Sequence, residues 1–125
     1  MNLTEIDFGA ARPIEGYGAD FYRLDGVAHP APVVIAPGQA ARWRGYDDPA
    51  PLLALAGQID VLFIGTGPEI APIPAALRRT LEAAGLGIEI MASAAACRTY
   101  NVLLSEGRRV AVALLPAGQS TRATG

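Results

Sequence analysis

Lysine is missing altogether: all ten basic residues of the chain are Arg. That excludes a Schiff-base lysine and the phosphate-gripping lysine of a P-loop, because a guanidinium performs neither task. Cysteine and histidine occur once each, as Cys97 and His29. One thiol forms no internal disulfide, and the pair falls short of the four N or S ligands of a structural zinc. Neither a metal site nor a cofactor is expected. Excess charge is lacking too: ten basic against twelve acidic residues leave a net −2. Binding of nucleic acid by phosphate neutralisation needs a concentrated basic face, so no nucleic-acid partner is expected. A long apolar run is also absent. The best stretch, residues 110–115, is far too short for a bilayer, and no direct membrane insertion is expected. Glu5 and Asp7 stand where a signal peptide carries basic residues, so a cytoplasmic, reducing location is expected.

What remains is a chain of 125 residues, 51% hydrophobic and 18% charged, which suits one globular domain over residues 1–125. Its two halves differ. Up to about residue 48, short β-like pieces alternate with turns. Phe21 to Leu24 runs through Asp25-Gly26, a hairpin signal, into Val27. Residues 33–36 follow Pro32 and close at Pro37-Gly38, and residues 40–43 form a further candidate strand; proline at these joints favours edges and strand ends. Asp48 is a candidate N-cap for a helix over 50–56, with Pro49 at its first position.

The second half alternates strand and helix. Strands are predicted at 59–64, 88–91 and 109–115. Helices are predicted from Pro74 to Ala84, closed by Gly85 with Leu86 folding back on Leu81, and from a Ser93 cap to about Glu106, closed by Gly107. Both faces of the last strand are apolar, so it should lie in a layer covered on both sides. The helical crossover makes the strands at 59 and 88 a parallel pair. The expected fold is therefore α/β with α+β character in the N-terminal half: a three-layer domain whose mixed central sheet contains a parallel pair and carries helices packed on it. Residues 118–125 are expected to be a flexible tail.

Three features have chemical potential, each with a plain structural counterpart. The loop Gly65-Thr66-Gly67-Pro68-Glu69 leaves the carboxyl end of a buried strand, where open α/β sheets tend to bind ligands. It is no dinucleotide fingerprint, since Ile70 replaces the third glycine and Pro68 removes a donor; the alternative is a tight strand exit. Cys97, near a helix start, shares a face with Tyr100, Asn101 and Leu104 and is the best nucleophile candidate. Its alternative is a small buried hydrophobe, because the only imidazole lies in the other half. Arg98 suits a carboxylate or an acidic partner, and Trp43 between Arg42 and Arg44 resembles a contact hot spot. A solvated arginine face and a strand whose Trp faces inward explain the same residues. Arg108 belongs to an exposed pair with Arg109. No coherent catalytic set emerges.

The succession of strand, Gly65-Thr66-Gly67, helix, Gly85, strand, then Ala95-Ala96-Cys97-Arg98-Thr99-Tyr100-Asn101 and Glu106-Gly107-Arg108-Arg109-Val110 resembles a widespread small-domain family of unassigned molecular function. That family includes the mitochondrial respiratory complex I assembly factor 3 and bacterial and archaeal relatives. The likeness runs over residues 4–117. It implies a three-layer domain and, by analogy with the mitochondrial members, protein partners and help in assembling complex I. It marks Gly65, Thr66, Gly67, Arg98, Thr99, Tyr100 and Asn101 and attaches no enzymatic activity or cofactor to them. The leading expectation is a non-catalytic interaction module, monomeric or weakly dimeric, with Trp43, Arg44 and Arg108 as possible partner surface. The alternative is a protein that binds, or acts on, an anionic small molecule between the 65–67 loop and the helix start at Cys97-Arg98.

Overall fold

The computed structural model describes residues 12–118. The first residues, where a signal peptide was not expected, lie outside these, as does the expected tail except for Gly118. The Gly118 amide donates to the carbonyl of Ala19 at 2.9 Å.

Three short strands, β1 (Gly16–Tyr17), β2 (Phe21–Leu24) and β3 (Val27–Pro30), form an antiparallel sheet in that order. Asp25 and Gly26 turn β2 into β3 with φ of 53° and 79°, the double positive φ that a two-residue hairpin demands and that Asp-Gly supplies at low cost. A five-stranded sheet follows: β4 (Val33–Ala36), β5 (Gln39–Arg42), β6 (Val61–Gly65), β7 (Gly87–Met91) and β8 (Val110–Leu114), ordered β5-β4-β8-β6-β7. β6 runs parallel to both β7 and β8, whereas β4 is antiparallel to β5 and β8. The sheet is mixed, and β8 occupies its centre with every residue buried, as its two apolar faces require.

The helices are α1 (Ala50–Leu53), α2 (Ala75–Ala83) and α3 (Ser93–Ser105). On one face of the large sheet, Val33, Ile35, Phe63, Val112 and Leu114 pack with Tyr22 and Leu24 of the small sheet and with Ala96, Cys97, Tyr100 and Leu104 of α3. On the other face, Val34, Leu62, Ile64 and Ala113 meet Trp43, Leu52, Leu77 and Leu81. These are the three layers. Removing one fully buried leucine from such a layer, Leu81 for instance, costs about 2–5 kcal/mol.

Helix ends carry the main departures from expectation. At α2 the Leu86 amide reaches the Leu81 carbonyl at 3.2 Å and the Gly85 amide that of Glu82 at 2.9 Å, the anticipated Schellman close. At α1, however, Pro49 is the N-cap and no side chain caps the helix. The Asp48 carboxylate instead accepts the Arg44 amide at 3.2 Å and closes the preceding turn. α1 is also shorter than expected. From Leu55 the amides bond three residues back rather than four, and the tightened chain leaves the helix for Gly57 at φ 83°. Ser93 is likewise no cap: Ala92 holds that position, and the serine begins the helix with its hydroxyl committed elsewhere.

Candidate functional site

The parallel β6 and β7 deliver the Gly65-Thr66-Gly67 loop and the first turn of α3 to one edge of the sheet, side by side as expected. Their contact is direct. The Ser93 amide donates to the Gly67 carbonyl at 2.9 Å, and the Gly67 amide donates to Ser93 Oγ at 2.9 Å. Ser93 Oγ in turn donates to the Leu115 carbonyl at 3.1 Å, an oxygen that also accepts Tyr22 Oη at 2.7 Å. The small sheet, the loop, α3 and the exit of β8 thus meet at one buried polar knot.

Each loop residue has a distinct physical role. A Cβ on Gly65 would stand 2.7 Å from Leu114 Cδ2, 2.8 Å from Ser93 Oγ and 2.9 Å from Ser93 Cα, so only glycine allows this approach. Gly67 has a φ of 111°, which an L side chain tolerates poorly. Thr66 Oγ1 donates to the Glu69 carbonyl at 2.7 Å and accepts the Ala71 amide at 3.0 Å, so it closes the loop upon itself. Three groups that an anion could use, Thr66 Oγ1 and the amides of Gly67 and Ser93, have internal partners.

On α3, Cys97 is buried at 5% exposure. Burial pushes its thiol up to about 12, and the neighbouring Arg98 offsets this only in part. Such a thiol is almost wholly protonated at neutral pH, the reverse of an activated nucleophile. His29 stands on β3 and lines a cavity with Leu24, Val27 and Ala40, and among the described residues no hydrogen bond joins it to Cys97. Tyr100 is fully buried, its hydroxyl has no partner among the described residues, and burial raises its pKa. Asn101 grips Ile14: Oδ1 accepts the Ile14 amide at 2.8 Å and Nδ2 donates to its carbonyl at 2.9 Å. Thr99 is half-buried, and Arg98 is exposed with no salt bridge among the described residues.

The possible partner surface divides. Trp43 is only 1% exposed, so it is a core residue and not a surface anchor: its ring faces the helical layer and its Nε1 donates to the Asp48 carbonyl at 3.0 Å. Strand alternation turns its neighbours Arg42 and Arg44 outward, and both are exposed, as is Arg108. The sequence did not reveal Ser93 as a bridge that shares the Leu115 carbonyl with Tyr22, nor Ile14 as the partner of Asn101. The one local clue was a lone hydroxyl in an alanine run directly after a strand.

The described residues hold no group of three His, Cys, Asp or Glu side chains placed to bind a metal, and no helix among them is long and apolar enough to cross a membrane.

Comparison with known proteins follows the same lines. Residues 14–115 match a family described as a protein of unknown function (DUF498/DUF598). An uncharacterised protein of Rhodobacter capsulatus is 51% identical over 116 residues, covering 93% of this chain and 94% of its own. A Drosophila melanogaster protein named NADH dehydrogenase (ubiquinone) 1 alpha subcomplex assembly factor 3 is 32% identical over 124 residues, 90% of this chain. The chain spans 62% of that protein's length. A crystal structure of a Bartonella henselae protein, described as an outer membrane protein, superposes with a TM-score of 0.76 at 33% identity over 86% of this chain and 96% of the other.

Proposed function

This chain belongs to the DUF498/DUF598 family, and on that premise we propose that it is a non-catalytic protein-interaction module that helps assemble a membrane respiratory complex of the complex I type. The observation that carries the proposal is the closed state of the motif edge. Gly67 and Ser93 hydrogen-bond each other, Thr66 Oγ1 is taken by Glu69 and Ala71 within the loop, Gly65 has no room for a side chain beside Ser93, and Cys97 is buried with a raised pKa. Residues that mark the family so consumed favour a rigid scaffold over a reaction centre. Relatives named as complex I assembly factors support the same direction. The module acts from the cytoplasmic side through protein partners, without nucleic acid and without a cofactor, as a monomer or weak dimer.

The test is deletion of the gene in the organism that encodes it, with complex I resolved on native gels. Lower levels of the assembled complex with accumulated subassemblies, restored by the wild-type gene, are the expected result. Unchanged complex I, together with tagged protein that repeatedly purifies alone, would overturn the reading. The small-molecule alternative predicts a ligand-induced rise in melting temperature across a panel of anionic metabolites, and the closed loop predicts none.

A further inference from the structure

We propose that the free edge of β5 is a docking slot for an extended segment of a partner protein that alternates apolar and acidic side chains and adds to the large sheet as a sixth strand. The inference rests on the interaction-module reading and gives that module a surface.

Among the described residues, β5 ends the large sheet. In the two-residue hairpin that joins β4 to β5, Ala36 faces Gln39 and Val34 faces Ala41, and these are the pairs that exchange ladder hydrogen bonds. The Trp43 amide continues the pattern, donating to the Pro32 carbonyl at 3.3 Å. By that parity the amide and carbonyl of both Ala40 and Arg42 point away from the sheet. The next outward amide, that of Arg44, is taken by the Asp48 carboxylate. Among the described residues these four backbone groups have no partner, which makes the short edge a template for strand addition.

Ala40 and Ala41 leave the middle of this edge uncrowded, and a cavity lies on each face of the strand. On the helical face, a cavity of about 390 Å³ is lined mainly by aliphatic side chains, among them Val34, Ala41, Pro51 and Leu55, together with Gln39 and Gln58. On the other face, a cavity of about 270 Å³ is lined by Arg12, Leu24, Val27, His29 and Ala40, with Asp25 paired to Arg12. The exposed Arg42 shares that second face with Ala40, and neither it nor the exposed Arg44 makes a salt bridge among the described residues. A strand laid against β5 sends alternate side chains to the two faces. One set enters the mainly aliphatic hollow. The other meets unpaired guanidinium charge, which favours carboxylates in forked geometry. A second copy of β5 brings Gln39, Ala40, Ala41 and Arg42 and no carboxylate, so it fits the charge less well.

The experiment titrates the full chain into fluorescein-labelled Gly-(Glu-Val)3-Gly and follows anisotropy. Saturable binding is expected, weakened at least tenfold when Lys replaces Glu. N-methylation of either the Val set or the Glu set of amides should weaken binding at least tenfold, and methylation of the other set should leave it within twofold. Ala40→Pro removes an outward donor that β4 does not use, and should abolish binding while the circular dichroism spectrum is retained. Should that variant fail to fold, Arg42→Glu with the Lys peptide provides the check, and recovery of binding by the swapped pair is expected. Amide exchange at Ala40 and Arg42 should slow only when the Glu peptide is present. Binding indifferent to N-methylation, or none at millimolar protein, would overturn the proposal. So would protection of those two amides in the free chain, or a dimer of the protein alone that Ala40→Pro dissociates, which assigns the edge to a second copy. Loss of the slot with persistent co-purification of partners removes this surface and leaves the interaction reading standing.

Discussion

Asn101 holds Ile14 by both polar groups of its backbone, accepting the amide at 2.8 Å and donating to the carbonyl at 2.9 Å across 87 residues of sequence. The geometry is that of a strand partner supplied by a side chain. It gives Ile14, just ahead of β1, a fixed attachment to α3.

Asn101→Ala should therefore lower stability by about 2–3 kcal/mol, since it strands a donor and an acceptor of a buried residue. Asn101→Asp keeps the acceptor but sets a carboxylate oxygen against the Ile14 carbonyl in a half-buried site, so at neutral pH it should cost at least as much as alanine. Urea unfolding, read as a shift in midpoint at constant slope, measures both. Equal stability of wild type and alanine variant would mean that the clamp is solvent-compensated.

The two buried tyrosines predict opposite outcomes for one substitution. Tyr22 Oη donates to the Leu115 carbonyl at 2.7 Å, whereas Tyr100 Oη has no partner among the described residues. Tyr22→Phe leaves the knot short of a donor and should cost about 1 kcal/mol. Tyr100→Phe removes an unsatisfied hydroxyl and should be neutral or stabilising by about 1 kcal/mol. Thermal unfolding of the two variants side by side decides it. A large loss at Tyr100→Phe would reveal a partner for that hydroxyl beyond residues 12–118.

Much of this architecture was written locally. The apolar faces of residues 110–115 place β8 at the centre of a covered sheet, Gly85 with Leu86 closes α2, and Asp25-Gly26 sets the first hairpin. Each is settled within one turn of chain. The misreadings share another character. Ser93 and Asp48 have good capping chemistry, but their oxygens were claimed by Gly67 and by Arg44, partners that only the assembled fold brings within reach. Trp43 between two arginines was consistent with a surface anchor or an inward strand residue until sheet parity chose the core. The family-marking residues were legible as a group, and their purpose was not, because it lies in contacts such as Asn101 with Ile14.

Gly65→Ala tests whether the loop is architecture. The added methyl meets Leu114, whose side chain has some freedom, but also the backbone of Ser93 at 2.9 Å, which has little. Overpacking of this kind should cost about 1–3 kcal/mol. Ser93→Ala should relieve one of the three close contacts while losing two hydrogen bonds, so the double variant should be less destabilised than the sum of the singles. Denaturation of the four proteins closes the cycle. Strict additivity would show that the two residues do not meet as described.

Alkaline pH gives the last prediction. Burial raises Cys97 from 9.0 to about 12 and Tyr22 from 10.0 to about 12, and raises Tyr100 as well. In the unfolded chain these groups release protons from about pH 9 upward, while the folded chain still holds them. The unfolded state then binds fewer protons, so stability falls as pH rises, beginning near pH 9 and continuing until the folded groups ionise. Below pH 9 their contribution is complete and the curve is flat with respect to them. Cys97→Ala removes the earliest of the three. Whatever its constant packing cost, the loss of stability between pH 8 and pH 10.5 should be smaller in the variant than in wild type, by about 2 kcal/mol. Chemical denaturation at the two pH values measures the difference. In the same experiment the native thiol should resist iodoacetamide at pH 8, where roughly one molecule in ten thousand carries a thiolate, and should react promptly once urea opens the fold. Rapid alkylation of the folded protein would place Cys97 at the surface and reopen it as a nucleophile.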